Sequence, residues 1–178
     1  QRNGERSFIK LKNGSIMFGF TEFTANDWED DVEARISFIT SNDDGETWSN
    51  KKVLFEKPQD AKNIMSLSFL RMNNDDIGAF YIHENLDGTD KIVFTCSSDE
   101  GENWSEPISC MVCLEEQDYF VLNNDRVLKL QNGRILFSVA KHTVLNTTKD
   151  FEPGEIHFFY SDDDGNSWVK TKQVFKCP

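Results

Sequence analysis

The sequence predicts an all-β protein, a β-propeller whose blades are four-stranded antiparallel sheets, with three blades present. Three observations predict it. The pattern Ser-x-Asp-x-Gly-x-x-Trp occurs three times, at Ser41–Trp48, Ser97–Trp104 and Ser161–Trp168, with starts 56 and 64 residues apart. A second register repeats in step with it, since Leu11–Ile16, Met72–Ile77 and Leu130–Ile135 each place a turn signal between two apolar runs. Helical periodicity is absent, and the runs after each long loop carry β-branched and aromatic residues (Ile36, Phe38, Ile39; Ile92, Val93, Phe94; Ile156, Phe158, Phe159).

Each unit reads strand A, tight turn, strand B, longer connection, strand C, box, strand D. In the first unit the strands fall at 7–11, 15–20, 34–40 and 51–55, and in the second at 66–72, 77–82, 90–96 and 107–114. The third gives 124–130, 134–140, 156–160 and 170–175. The blades are accordingly 1–60, 61–119 and 120–178, four strands about every 60 residues, as in propellers. The box explains itself as a turn: its Ser and Asp bond loop amides, its Gly takes a positive φ, and its Trp covers the hairpin leading into strand D. A catalytic or calcium-binding role for the box is the lesser reading.

Composition narrows the functions. The chain has 178 residues, 19 Lys plus Arg against 31 Asp plus Glu, and a net charge of −12. That charge argues against nucleic acid or an anionic membrane as partner, because both are polyanions. No apolar run approaches the roughly 18 residues that span a bilayer. With 38% apolar residues and 15 Phe, a packed core is expected rather than disorder. Cys110 and Cys113 have CxxC spacing, but without a second pair or a nearby His pair no metal is expected, and no cofactor. The first residue is Gln with no apolar leader after it, which suggests a processed or shortened chain and leaves the compartment open.

Topology locates a site. The A–B turns and the boxes share one end of an up-and-down blade, and the B–C and D–A connections share the other. Long connections on a rigid scaffold carry function, so the candidate face is 1–6, 21–33, 56–65, 83–89, 115–123 and 141–155. It offers Arg2, Glu5 and Arg6; Asp27, Glu29, Asp30, Asp31, Glu33 and Arg35; and Tyr119, Asn123, Asn124, Asp125, Arg126, Lys141 and His142. The bland alternatives are a solvated acidic loop at 27–33 and an ion pair of Arg126 with Asp125. His83 ends its strand much as His142 does, whereas His157, Tyr81 and Tyr160 read as packed strand residues.

At the boxes the chain resembles the sialidase (neuraminidase) superfamily, the BNR or Asp-box repeat proteins. Further segments carry the resemblance: Arg2-Asn-Gly-Glu-Arg6-Ser-Phe-Ile-Lys-Leu, Asn63-Ile-Met-Ser-Leu-Ser-Phe-Leu, Tyr119-Phe-Val-Leu-Asn-Asn124-Asp-Arg126 and Gln131-Asn-Gly-Arg-Ile-Leu. The resemblance implies a six-bladed ring of which this chain is the N-terminal half. In such enzymes arginines clamp the substrate carboxylate in bidentate fashion, an Asp is the general acid/base, and a Tyr paired with Glu is the nucleophile. It places Arg2 near the first clamp arginine and Asp31 near the acid/base. The chain lacks an Arg-Ile-Pro tripeptide at the first arginine, and the stretch from Asp31 to Ser41 is about four residues longer than the repeat expects, which keeps Asp30 and Asp27 as alternates. Arg6, Arg35, Asn124, Asp125, Arg126 and His142 complete the expected substrate-binding set.

The function expected is therefore an exo-acting glycoside hydrolase for sialic acid or a related acidic sugar, with this chain inactive by itself because the nucleophile pair lies on later blades. A non-catalytic carbohydrate-binding or scaffold propeller is the alternative. A sugar substrate points to secretion or the periplasm. Three blades leave two open faces, and a homodimer about a twofold axis is a further way to complete a six-bladed ring.

Overall fold

The computed structural model describes residues 2–25, 32–111, 119–142, 144–145, 150–151 and 154–176. Among them every regular element is a strand. Strands β1 (Arg2–Lys10), β2 (Ile16–Phe23), β3 (Ala34–Ser41) and β4 (Lys52–Phe55) form a first antiparallel sheet in sequence order. Strands β5 (Ala61–Arg71), β6 (Ile77–Asn85), β7 (Asp90–Ser97) and β8 (Ile108–Ser109) form a second in the same order.

The third sheet has the same plan with both of its edge strands interrupted. Its central pair is β11 (Ile135–His142) against β14 (Glu155–Ser161). On one side β9 (Tyr119–Val121) and β10 (Val127–Lys129) both pair with β11; on the other β15 (Val169–Lys170) and β16 (Phe175–Lys176) both pair with β14. A small hairpin, β12 (Val144–Leu145) with β13 (Asp150–Phe151), stands in the β11–β14 connection that the sequence reads as plain loop.

The predicted strands are all present, with different ends. The inner strands begin earlier, at Arg2 and Ala61 rather than 7 and 66, while of the second D strand, expected at 107–114, Ile108–Ser109 is strand among the described residues and 112–114 lie outside them. The expected strand 124–130 breaks because Asp125 adopts a left-handed φ of 60°. The β6–β7 connection is a tight turn, closed by Asn85 N–H donating to the Thr89 carbonyl at 2.8 Å with Gly88 at φ 83°, and not a long loop.

The three boxes share one geometry. In each, the Ser hydroxyl donates to the Asp carboxylate at 2.8 Å and accepts from the Gly N–H at 2.8–2.9 Å. The same carboxylate accepts the backbone N–H of Thr47, Asn103 or Ser167 at 2.8–2.9 Å. Two successive residues, Asp44-Gly45, Glu100-Gly101 and Asp164-Gly165, take positive φ to close the turn. These carboxylates are spent on their own loops, and Asp43 and Asp99 are held down near 2 by hydrogen bonds from Thr47 and Asn103 first of all.

The sheets stack face to face in chain order. Ile9, Met17 and Ile36 of the first meet Leu67, Phe69, Ala79 and Val93 of the second, and Phe80, Ile92 and Phe94 of the second meet Ile135, Phe137, Val139 and Phe159 of the third. Gly19 permits the first contact, since a Cβ there would stand 2.4 Å from Leu67 Cδ2. Burial of each large apolar side chain contributes about 1.5–3 kcal/mol. The box tryptophans seal the seams. Trp104 packs edge-on against Phe55 of the preceding sheet (5.1 Å), and Trp168 packs against Phe80 (5.8 Å) and Phe94 (6.3 Å) of the preceding sheet. Among the described residues, Trp48 meets rings of its own sheet alone, Phe8 and Phe18, and stays 38% exposed.

The inner strands are tied to one another by polar side chains. Phe69 N–H on β5 donates to Ser7 Oγ on β1 (2.9 Å), and Ser7 Oγ donates to Asp125 Oδ1 (2.9 Å). Asp125 N–H donates to Ser68 Oγ (2.7 Å), and Asn124 Nδ2 donates to the Arg6 carbonyl (3.0 Å). Two serine hydroxyls and one carboxylate thus join all three sheets along their common inner edge.

Candidate functional site

The candidate face is the end at which β1, β5 and β9 start and β2, β6 and β11 finish. Bulges on the two inner strands shape it, displacing Glu5 on β1 (φ 20°) and Ser66 on β5 (φ 61°). Left-handed backbone on a buried Ser is strained, and bulges of this kind cluster beside functional sites. Thr21 braces both, its hydroxyl donating to Glu5 Oε2 (3.2 Å) and accepting from Ser66 N–H (3.1 Å).

Arg2 opens β1 directly opposite Phe23, and its guanidinium lies over the Phe23 ring at 3.9 Å from the centroid. Phe23 is 1% exposed, so the cation sits on a fixed platform, and Gly4 leaves the ring room. An arginine held flat at the mouth of an inner strand is suited to bidentate carboxylate recognition. Asp27, Asp30 and Asp31 lie outside the described residues, in the connection that leaves β2 beside Phe23 and returns at Ala34.

The other expected residues are placed as follows. Arg35 is held in ion pairs with Glu22 (3.0 Å) and Glu56 (3.2 Å). Asn124 and Asp125 make the inner-edge ties described above. Arg6 and Arg126 have exposed side chains, with the Arg126 N–H on Ser68 Oγ (3.4 Å). His142 ends β11 in register with Tyr119 and against Gly154, so the third sheet brings His142 and the Tyr119 backbone together at this end. His157 and Tyr81 are packed residues: His157 is 4% exposed beside Glu155, and Tyr81 stacks on Phe55.

Two ionisable clusters escape sequence reading. Glu22 is buried on the first sheet; burial pushes its carboxyl up, but hydrogen bonds from Lys51, Ser37 (2.6 Å) and Arg35 outweigh this and hold it at about 2. On the second sheet, Glu84 and Asp90 stand opposite each other in the last β6–β7 pair. Glu84 accepts from Asn63 Nδ2 (2.6 Å) and pairs with Lys62 (3.1 Å), whereas Asp90 is 8% exposed and its Oδ1 has no hydrogen-bond partner. Burial first, then the Glu84 charge, raise Asp90 to about 8 against the opposing pull of Lys62. Asp90 is therefore a carboxylic acid at neutral pH, able to donate a proton or a hydrogen bond. The signal in the sequence was the Asn85–Thr89 turn, whose hairpin register pairs the two acids. Among the described residues no group of three His, Cys, Asp or Glu side chains is placed to hold a metal ion.

Sequence comparison with curated proteins finds no match. Among solved structures, a sialidase from Trypanosoma rangeli, a mutant displaying trans-sialidase activity, superposes with a TM-score of 0.75 at 14% identity, over 99% of this chain and 31% of that one. The intramolecular trans-sialidase of Ruminococcus gnavus, in complex with oseltamivir carboxylate, gives 0.74 at 12% identity over 96% of this chain and 60% of its own. A protein of unknown function from Dyadobacter fermentans gives 0.74 at 18% identity, over 95% and 54%. The chain spans between about a third and three-fifths of the length of these structures. At such identities the likeness is one of fold: sheets stacked as in sialidases. The sequence profile of the BNR repeat-like domain matches residues 14–176, nearly the whole chain. The chain belongs to the BNR repeat-like domain family.

Proposed function

We propose that this chain is the three-bladed half of a six-bladed, sialidase-like propeller, and that the complete ring is a glycoside hydrolase acting at the non-reducing end of glycans bearing sialic acid or a related acidic sugar. The observation that carries this reading is Arg2 seated on Phe23 where the first inner strand begins. In this reading Arg2 clamps the sugar carboxylate and Asp31 is the general acid/base, with Asp30 and Asp27 as alternates. The bulged inner strands and His142 shape the pocket. The nucleophile pair comes from other blades, so the chain alone does not turn over substrate. Hydrolysis of a fluorogenic sialoside tests it: the isolated chain is expected to be inactive, and in the complete protein Arg2→Ala and Asp31→Ala each cost about a hundredfold or more. Turnover by the isolated chain in proportion to its concentration, or an unimpaired Arg2→Ala protein, overturns the proposal.

A second reading, a carbohydrate-binding propeller without chemistry, is favoured by the engagement of Arg35, Asn124 and Asp125 in structural ties. Glycan binding without hydrolysis by the complete protein would select it. In either reading the open faces require cover. One is the Phe8, Phe18 and Trp48 face; the other carries Leu128, Ile156, Val169 and Phe175, 44–58% exposed. For the isolated chain, two copies about a twofold axis place each face on the other. Light scattering is then expected to give twice the chain mass at micromolar concentration, and a monomer mass refutes the pairing.

A further inference from the structure

A groove of about 270 Å³ opens on the second sheet, beside the connection that reaches it from the first, and uses none of the residues assigned above to the acidic sugar. Its floor is one face of the second sheet. Tyr81 and His83 on β6 stand opposite Val93 and Lys91 on β7, and Ser109 on β8 stands opposite Val93. Its walls are Pro58 and Asp60, from the connection leaving the first sheet, and Glu106 and Pro107 before β8.

His83 is the unexplained member. It is 6% exposed, and its Nε2 makes no hydrogen bond; the Asp60 carboxylate stands 4.0 Å away. A buried, unsatisfied ring nitrogen at the edge of a cavity costs stability unless something occupies that cavity. Burial, then the Lys91 charge, lower its pKa despite Asp60, so the ring is neutral and presents one donor and one acceptor. Burial likewise raises Tyr81 to about 12, which keeps its phenol protonated.

The charges define what fits. One ammonium (Lys91) faces two carboxylates (Asp60 and Glu106), which disfavours an anion and hence the acidic sugar proposed for Arg2. The lining combines the polar side chains of Asp60, His83, Lys91, Glu106 and Ser109 with apolar Val93, Pro58 and Pro107. A pyranose ring has the matching form, an apolar C–H face rimmed by hydroxyls that each donate and accept. The volume lies just below the roughly 300–1,000 Å³ of drug-sized sites, which limits the occupant to a single ring. We propose that this groove is a subsite for a neutral hexopyranose, with His83 and Lys91 hydrogen-bonding its hydroxyls and Val93 and the two prolines meeting its apolar face. The site stands apart from the acidic-sugar reading, and either can fail without the other.

The test is NMR of the histidine imidazoles of the chain, which has three histidines, titrated with galactose, glucose and N-acetylglucosamine, and with free sialic acid as a separate arm. At least one neutral hexose is expected to move the His83 resonances saturably, with a Kd of about a millimolar, while His157 stays still. Lys91→Met, which keeps the packing of the half-buried stem, is expected to weaken that binding at least fivefold. Sialic acid is expected to leave His83 unmoved. No saturable shift of His83 with any of the three hexoses overturns the subsite. So does an unchanged affinity in Lys91→Met, or a response to sialic acid equal to that for the neutral sugars. None of these outcomes bears on sialoside hydrolysis, which depends on Arg2 and Asp31.

Discussion

The Asp90→Asn substitution is the sharpest probe of the buried acid pair. Asp90 faces Glu84 across the last rung of the β6–β7 hairpin, 8% exposed and without a partner for Oδ1, while Lys62 and Asn63 are engaged with Glu84. Its folded pKa of about 8 lies far above the ordinary value of 3.8, so the folded form binds the proton more tightly than the unfolded chain does. The stability associated with that proton is complete below pH 3.8 and is lost progressively as pH rises to about 8. At about 1.36 kcal/mol per unit the ceiling is roughly 5–6 kcal/mol, and relaxation of the exposed turn beyond Asn85 reduces it to about half. Asp90→Asn keeps the shape and removes the titration. Urea unfolding at pH 5 and pH 8.5 is therefore expected to show the variant gaining about 2 kcal/mol on the wild type between the two, a midpoint shift of about 1 M. Parallel pH dependences for the two proteins would refute the assignment of a neutral Asp90.

Glu22 has the opposite sign. Its folded pKa of about 2 lies below 4.5, so its contribution is present above about pH 4.5 and lost as pH falls through 2. Glu22→Gln is expected to cost about 2 kcal/mol at pH 7, less than a fully buried pair because Lys51 and Arg35 keep contact with water, and to converge on wild type in acid. A deficit that persists unchanged at pH 2.5 argues against the charge network. The tryptophans supply a graded comparison: Trp168→Ala, at 6% exposure among Phe80, Phe94 and Phe137, is expected to cost about 3–5 kcal/mol in thermal or urea melts. Trp48→Ala is expected to cost less than about 1.5 kcal/mol in the isolated chain, and an equal cost would mean that its face is already covered.

What the sequence disclosed was local chemistry with a period. Each box is a self-contained turn whose Ser, Asp and Gly supply both bonding and backbone freedom, so three copies reveal three sheets before any packing is known. The A–B turns are legible for the same reason. The inner strands are less so: their bulges put Glu5 and Ser66 at positive φ, a conformation those residues adopt only because Thr21 and the neighbouring strands hold them there. Asn124 and Asp125 read as the start of a strand and as part of the expected substrate-binding set, and their long-range bonds to Arg6, Ser7 and Ser68 follow only from the packing of the three sheets. Glu22 lies within an apolar strand and meets Lys51 29 residues later, a distance no local pattern spans. Arg2 is a candidate by its place in the loop face and by resemblance, but its Phe23 platform follows only from the β1–β2 register.

The box tryptophans also set the grain of the protein's stability. Because Trp104 and Trp168 each close onto the sheet made before them, the unit of sequence and the unit of cooperativity are offset by one seam. A sheet emerging during synthesis is finished by docking its own tryptophan backwards, so order propagates from the N-terminal side and energetic coupling runs between nearest neighbours. Trimming at a box boundary severs such a lock, whereas lengthening a connection at the opposite end leaves every lock intact. The candidate face is thus the one whose loops can change most freely.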